Sequence, residues 1–140
     1  MLSALSAEDA EYLLVGAYAL AVHGVPRATG DIDLWVRPSR ANAEKVLRAL
    51  ARYGAPIGAL TLDDLSKPGT VFQIGVAPNR IDVLTAIDAV DFGEAWSRRI
   101  CTDVAGLSVP VIARDDLIRN KRSTGRSQDQ ADADRLEHPE

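Results

Sequence analysis

The order of apolar and polar positions along the chain switches repeatedly between a period near two and a period near 3.6, and each switch predicts an element. YLLV at 12 to 15 is a short apolar run closed by Gly16, the mark of a strand ending in a sharp turn where backbone comes close to something else. AYALAVHG at 17 to 24 reads as a small-residue helix closed by Gly24, and Pro26 and Gly30 bracket the loop that follows. DIDLWV at 31 to 36 alternates acid and apolar side chains as a second strand. Pro38-Ser39 starts a longer helix whose Ala43, Val46, Leu47 and Leu50 share one face, and Gly54 and Pro56 end it. Residues 57 to 69 are a loop with one helical turn at Leu62 to Leu65; its tip, Lys67-Pro68-Gly69, is placed to flank a substrate.

Further on, TVFQIGV at 70 to 76 and RIDVLT at 80 to 85 read as two strands joined through Ala77-Pro78-Asn79. Asp88 and Asp91 are expected to cap a short amphipathic helix from Phe92 to Arg99, with Trp96 as its core anchor. A hairpin over 100 to 112 turns at Val104-Ala105-Gly106-Leu107. Asp115 and Asp116 open a helix that stops at Gly125, and Ser127 with Gln130 predicts a capping box for a last helix. At the other end, residues 3 to 11 predict a short helix with Ser6 as cap and Glu8 and Asp9 in its first turn. The pattern implies an α+β fold, a small mixed β-sheet with helices packed on it, in a single domain over 1–137 with 138–140 as a frayed end.

Composition changes this picture little. The 140 residues are 46% hydrophobic and 26% charged, ordinary for a soluble globular protein. The net charge of −4 argues against a broad nucleic-acid surface while leaving room for contact with an RNA end. Cys101 is the only cysteine, so no intramolecular disulfide forms, which fits a reducing cytoplasm; a structural role suits it better than a nucleophilic one. No apolar run approaches membrane-spanning length and no export signal is evident, so a cytoplasmic location without a membrane partner is expected.

The candidate chemistry gathers in the first half. A helix that starts straight after a strand and a glycine turn presents free backbone N–H groups, a ready anion site. Arg27 in the loop is a forked cation suited to phosphate, and Thr29 lies beside it. Asp31 and Asp33 fall on one strand face, roughly 6 to 7 Å apart at the backbone. Paired carboxylates there repel unless a divalent cation with oxygen ligands, Mg²⁺ or Mn²⁺, stands between them; two unrelated aspartates at a solvated strand end are the plainer reading. Asp82 is the lone acid among Ile81, Val83 and Leu84, and a carboxylate inside an apolar strand is costly unless paired or metal-bound, which makes it the natural third ligand. His23 reads as a packed or loop-facing histidine.

Taken together, Gly16-Ala17, the helix, Gly24, Arg27, Thr29 and Asp31-x-Asp33 resemble the signature of DNA polymerase β-type nucleotidyltransferases, closest to the small bacterial branch with AbiEii-type toxins and minimal nucleotidyltransferases. The resemblance implies that Gly16 and Ala17 hold a triphosphate with Arg27 and Thr29, and that Asp31, Asp33 and Asp82 bind two metal ions. Asp-Leu-Ile, Lys121, Gly125-Arg126, Asp129 and Asp132 are similar in order to the AbiEii-type pattern, which implies that Lys121 contacts phosphate and that Asp129 positions Lys121 or the acceptor. One departure stands out: many members carry Gly-Ser or Gly-Gly at the turn, so a serine hydroxyl is missing at Ala17, implying weaker or different phosphate contact.

What the resemblance implies, then, is a metal-dependent transfer of a nucleoside monophosphate from an NTP to a hydroxyl of an RNA such as tRNA, a protein or a small molecule, with pyrophosphate released. It also implies a cognate toxin or antitoxin partner and a homodimer as arrangements to test for. Two other readings compete: a non-catalytic antitoxin or binding module of the same fold, and an enzyme modifying an aminoglycoside or lincosamide. For the last, a bulky acceptor pocket is expected only across a dimer.

Overall fold

The computed structural model describes residues 1–27, 30–76 and 79–138. In chain order the elements are α1 (Leu2–Ala7), β1 (Tyr12–Val15), α2 (Gly16–Val22), β2 (Ile32–Val36), α3 (Arg40–Tyr53), α4 (Leu62–Ser66), β3 (Val71–Ile74), β4 (Ile81–Leu84), α5 (Phe92–Arg98), β5 (Ile100–Val104), β6 (Leu107–Val111), α6 (Arg114–Ser123) and α7 (Ser127–Glu137). Among the described residues the strands form one six-stranded mixed sheet in the order β3-β4-β2-β1-β6-β5. The expected Thr29 and the turn residues Ala77 and Pro78, with Pro139 and Glu140 of the expected frayed end, lie outside the described residues.

Sheet position explains sequence character. β1 lies between β2 and β6 and is buried throughout, which is why it reads as an unbroken apolar run. β2 pairs antiparallel with β1 and parallel with β4, and β3 adds antiparallel at the edge. In β2 the strand period puts Asp33 and Trp35 on one face, and Leu34 and Val36 on the other. Trp35 is 1% exposed and meets the Phe92 ring edge-on at 5.0 Å, so α5 is seated on the same face as the acid.

Helix α3 follows its sequence signals closely. Ser39 caps it by accepting from the Asn42 N–H at 3.3 Å, and Gly54 ends it in the left-handed region at φ 92. Val46 and Leu50 are fully buried, each burial being favourable by roughly 1.5–3 kcal/mol. Asn42, also buried, staples the helix to the sheet: it accepts from the Glu11 N–H at 2.7 Å and donates to the carbonyls of Glu11 and Arg37 at 2.9 and 3.1 Å.

Three local expectations are corrected. Helix α1 begins at Leu2, so Ser6 lies inside it and Glu8 sits at its C-terminal cap. Arg48 and Arg52 of α3 each donate to the Glu8 carboxylate at 2.9 Å, and this cross-helix pairing outweighs a place in a first turn. No capping box opens α7: Ser127 is already helical, Arg126 is the cap residue, and the Gln130 amide donates to the Lys121 and Arg122 carbonyls at 3.4 and 3.0 Å. Gln130 thereby shares with Thr124 the work of satisfying the carbonyl end of α6. Of the two acids before α5, Asp91 caps it by accepting from the Glu94 N–H at 3.1 Å; Asp88 instead sits in the preceding turn, its carbonyl accepting from Asn120.

Candidate active site

Register assembles the site. Val15 of β1 is the partner of Asp33 in β2, and Asp33 is the partner of Asp82 in β4, so the Gly16 turn and two carboxylates line up across three neighbouring strands. A slip of one residue in either pairing would turn an acid to the opposite face. Asp82 lies on an internal strand and is 8% exposed, so it is not an edge-strand acid facing water.

Gly16 explains its own identity. It has φ +68, and a Cβ built there would stand 2.1 Å from Asp33 Oδ2. The close approach expected of this glycine is therefore an approach to the carboxylate of Asp33. Only a residue without a side chain allows the turn and the acid to share that space.

Electrostatically the site is strained. Burial first, and then the charge and hydrogen bond of Asp82, push the Asp33 carboxyl up to about 6; Arg80 opposes the rise and Asp31 adds to it. Asp31 accepts from the Arg80 backbone N–H at 2.9 Å, and its carboxylate lies 3.7 Å from Arg80 Nη2. Arg80 Nε stands 3.0 Å from Asp82 Oδ1. Proton sharing between Asp33 and Asp82, and one guanidinium between Asp31 and Asp82, thus offset three converging negative charges.

Two C-terminal helices bring the cations. Lys121 Nζ is 3.2 Å from Asp129 Oδ1 and 3.7 Å from Asp132 Oδ2. Asp129 also accepts from Thr124 Oγ1 at 2.6 Å and Arg126 Nε at 2.9 Å. Burial opposes its ionisation, but the hydrogen bonds from Thr124 and Lys121 and the charges of Lys121 and Arg126 together hold its carboxyl below the usual range. Arg27 is fixed by an ion pair with Asp132, whose side chain is 1% exposed and also accepts from Gln128 at 3.1 Å.

A cavity of about 530 Å³ joins these parts, with Gly16, Asp33, Asp82, Lys121, Arg126 and Asp129 in its wall. Asp88 and Asn120 line it too. Asp31, Ala17 and Arg27 stand outside that wall, Asp31 against Arg80 and Arg27 against Asp132. A second cavity of about 340 Å³, walled by Trp35, Arg37, Pro68, Thr85 and Phe92, shares Ala86 in its wall with the first. His23 takes no part: it is buried, and its Nε2–H donates to the Ile112 carbonyl at 2.8 Å. Cys101 is exposed on the edge strand β5 at the other side of the sheet.

Structural comparison places this arrangement among known folds. A protein from Thermotoga maritima described as a nucleotidyltransferase superposes with a TM-score of 0.62 over 99% of this chain and 89% of its own, at 12% identity. The chain has the nucleotidyltransferase fold. The lincosamide antibiotic adenylyltransferase LnuA with lincomycin bound gives 0.59 at 14% identity, over 98% and 92%. ANT(2")-Ia in complex with adenylyl-2"-tobramycin gives 0.58 at 16%, over 96% and 82%. No family model and no curated protein matches the sequence.

Within that fold, two residues matter that were left without a role in the sequence, Asp132 being named only as part of a pattern. Asp132 was one of several acids on a charged helix, and only its burial between Arg27 and Lys121 distinguishes it. Arg80 had a readable signal: two residues before Asp82 on one strand, it shares that acid's face. Among the described residues no three His, Cys, Asp or Glu side chains stand as a ready metal cage, and Arg80 contacts two of the acids. The donor set itself fits a hard divalent cation: the buried Asp82 and the half-buried Asp33 stand in register, and burial together with the neighbouring acid resists the ionisation of Asp33.

Proposed function

We propose that the protein is a metal-dependent nucleotidyltransferase that moves a nucleoside monophosphate from an NTP to a hydroxyl acceptor. The observation that carries this reading is the row of Gly16, Asp33 and Asp82 facing Lys121 across one cavity, in a chain with this fold. Asp31, Asp33 and Asp82 are the residues that would hold the ions; a bound Mg²⁺ or Mn²⁺ would neutralise triphosphate charge and make the acceptor hydroxyl more acidic. Gly16 and Ala17 offer backbone N–H groups to phosphate, and Arg27 and Lys121 offer cations held in place by Asp132 and Asp129. Asp82, on a different strand from the other two acids, is assigned to the acceptor hydroxyl and takes part in removing its proton.

The AbiEii-type likeness favours a toxin–antitoxin setting, with tRNA or a protein as acceptor and a cytoplasmic site of action. Among the described residues no helix is long and apolar enough to cross a membrane. A small-molecule acceptor is the second reading, and one observation favours it. A second cavity in the same chain, walled by Trp35 and Phe92, shares Ala86 with the wall of the carboxylate cavity, and an acceptor held there would need no dimer. The test of the nucleotide site is calorimetric titration of the protein with a non-hydrolysable NTP in Mg²⁺, beside Asp33→Asn. Saturable binding lost in the variant is expected; no heat in either protein removes the proposal.

A further inference from the structure

Arg80 is the one cation in contact with two of the three acids among the described residues, and its geometry is unusual. Its backbone N–H is committed to Asp31 Oδ1 in an ordinary hydrogen bond of 2.9 Å. Its side chain differs. Nε and Asp82 Oδ1 are 3.0 Å apart, yet both atoms are buried and neither has a hydrogen-bond partner, so they meet as charges with the N–H out of line. Such a pair is replaceable: the oxygen gains from a divalent cation, and the N–H gains from an oxygen set in line with it. The side chain as a whole is 34% exposed, so solvent offers it a way out.

We propose that Arg80 is the resident counter-ion of the carboxylate group, holding Asp31 and Asp82 until a divalent cation arriving with a nucleotide displaces it. The inference rests on the nucleotide-site reading above and adds regulation to it. A metal ion alone has to displace a paired guanidinium and leaves it beside a new positive charge. A metal–nucleotide complex brings a cation for the carboxylates and phosphate oxygens for the freed guanidinium, whose fork suits them. Arg80 therefore couples the two ligands, and free metal alone binds only weakly.

The test is titration of the full chain with Mn²⁺, followed by electron paramagnetic resonance, with and without a non-hydrolysable NTP. Wild type, Arg80→Gln and Arg80→Lys are compared, with circular dichroism confirming that each is folded. Wild type should bind Mn²⁺ weakly alone and much more tightly with nucleotide. Arg80→Gln, lacking the competing charge, should bind Mn²⁺ alone on the order of tenfold tighter or more, and nucleotide should then help it less. Arg80→Lys keeps the charge and should stay near wild type. A folded Arg80→Gln whose affinity for Mn²⁺ alone equals that of wild type overturns the counter-ion role; nucleotide-dependent Mn²⁺ binding in wild type would still leave the nucleotide site standing. Absence of Mn²⁺ and nucleotide binding in every variant overturns both.

Discussion

Replacing Asp33 with asparagine should make the ligand-free protein more stable while removing its ligand. The Asp33 carboxyl is raised from 3.8 to about 6, so between those values the folded chain holds a proton that the unfolded chain releases. Stability contributed by this group is complete below the lower value, falls as pH rises through the window, and stays reduced above the upper one. At about 1.4 kcal/mol per unit, the two-unit rise corresponds to about 3 kcal/mol. Asp33 is only half-buried, and solvent screening reduces that to about 1–2 kcal/mol. Asparagine is close in shape, carries no charge, and can donate to Asp82 as the protonated acid does. Thermal melts without metal should therefore place Asp33→Asn about 3–6 °C above wild type at about pH 8, with the gain fading towards about pH 4. A gain that does not vary with pH, or no gain at alkaline pH, would refute the account of strained, converging carboxylates.

Other substitutions probe separate parts of the site. Asp82→Asn should retain most Mg-NTP affinity and lose transfer by about a hundredfold or more, since it is assigned to the acceptor side; a calorimetric titration beside a transfer assay separates the two. Lys121→Ala should weaken nucleotide binding by roughly tenfold and also cost roughly 1–3 kcal/mol in a denaturant melt, because Lys121 is a partner of two buried acids and not the exposed charge its helix suggests. Gly16→Ala should abolish nucleotide binding by pushing Asp33 aside. Gly24→Ala is its control, with φ +92 but nothing within 4 Å of the added carbon, and should cost only the roughly 1–3 kcal/mol of backbone strain.

Legibility followed the range of the interaction. Strand β1, the Gly16 turn, β2 and α3 were readable because strand period, glycine and a serine cap are local signals, and the structure keeps them within a residue or so. Asp82 was readable because an acid inside an apolar strand needs a partner wherever the strand goes. That the partner is Asp33, in parallel register, was not readable, since pairing between distant strands leaves no local mark. The same holds for Glu8 and Gln130, whose side chains serve neighbouring helices and not their own caps. Asp132 and Arg80 carried no assigned role for a related reason: charge runs look alike in sequence, and burial alone separates a fixed ion pair from a solvated face.

The most direct measurement is transfer itself. Wild type and Asp82→Asn are incubated with each NTP labelled at the α-phosphate, Mg²⁺, and in turn tRNA, candidate proteins, and hydroxyl-bearing small molecules including a lincosamide and an aminoglycoside. The account predicts that label becomes covalently attached to one acceptor class with release of pyrophosphate, and that Asp82→Asn forms that product about a hundredfold more slowly or worse. Label moving at the same rate in both proteins, or a wild-type chain that binds Mg-NTP and labels none of these acceptors, would contradict it.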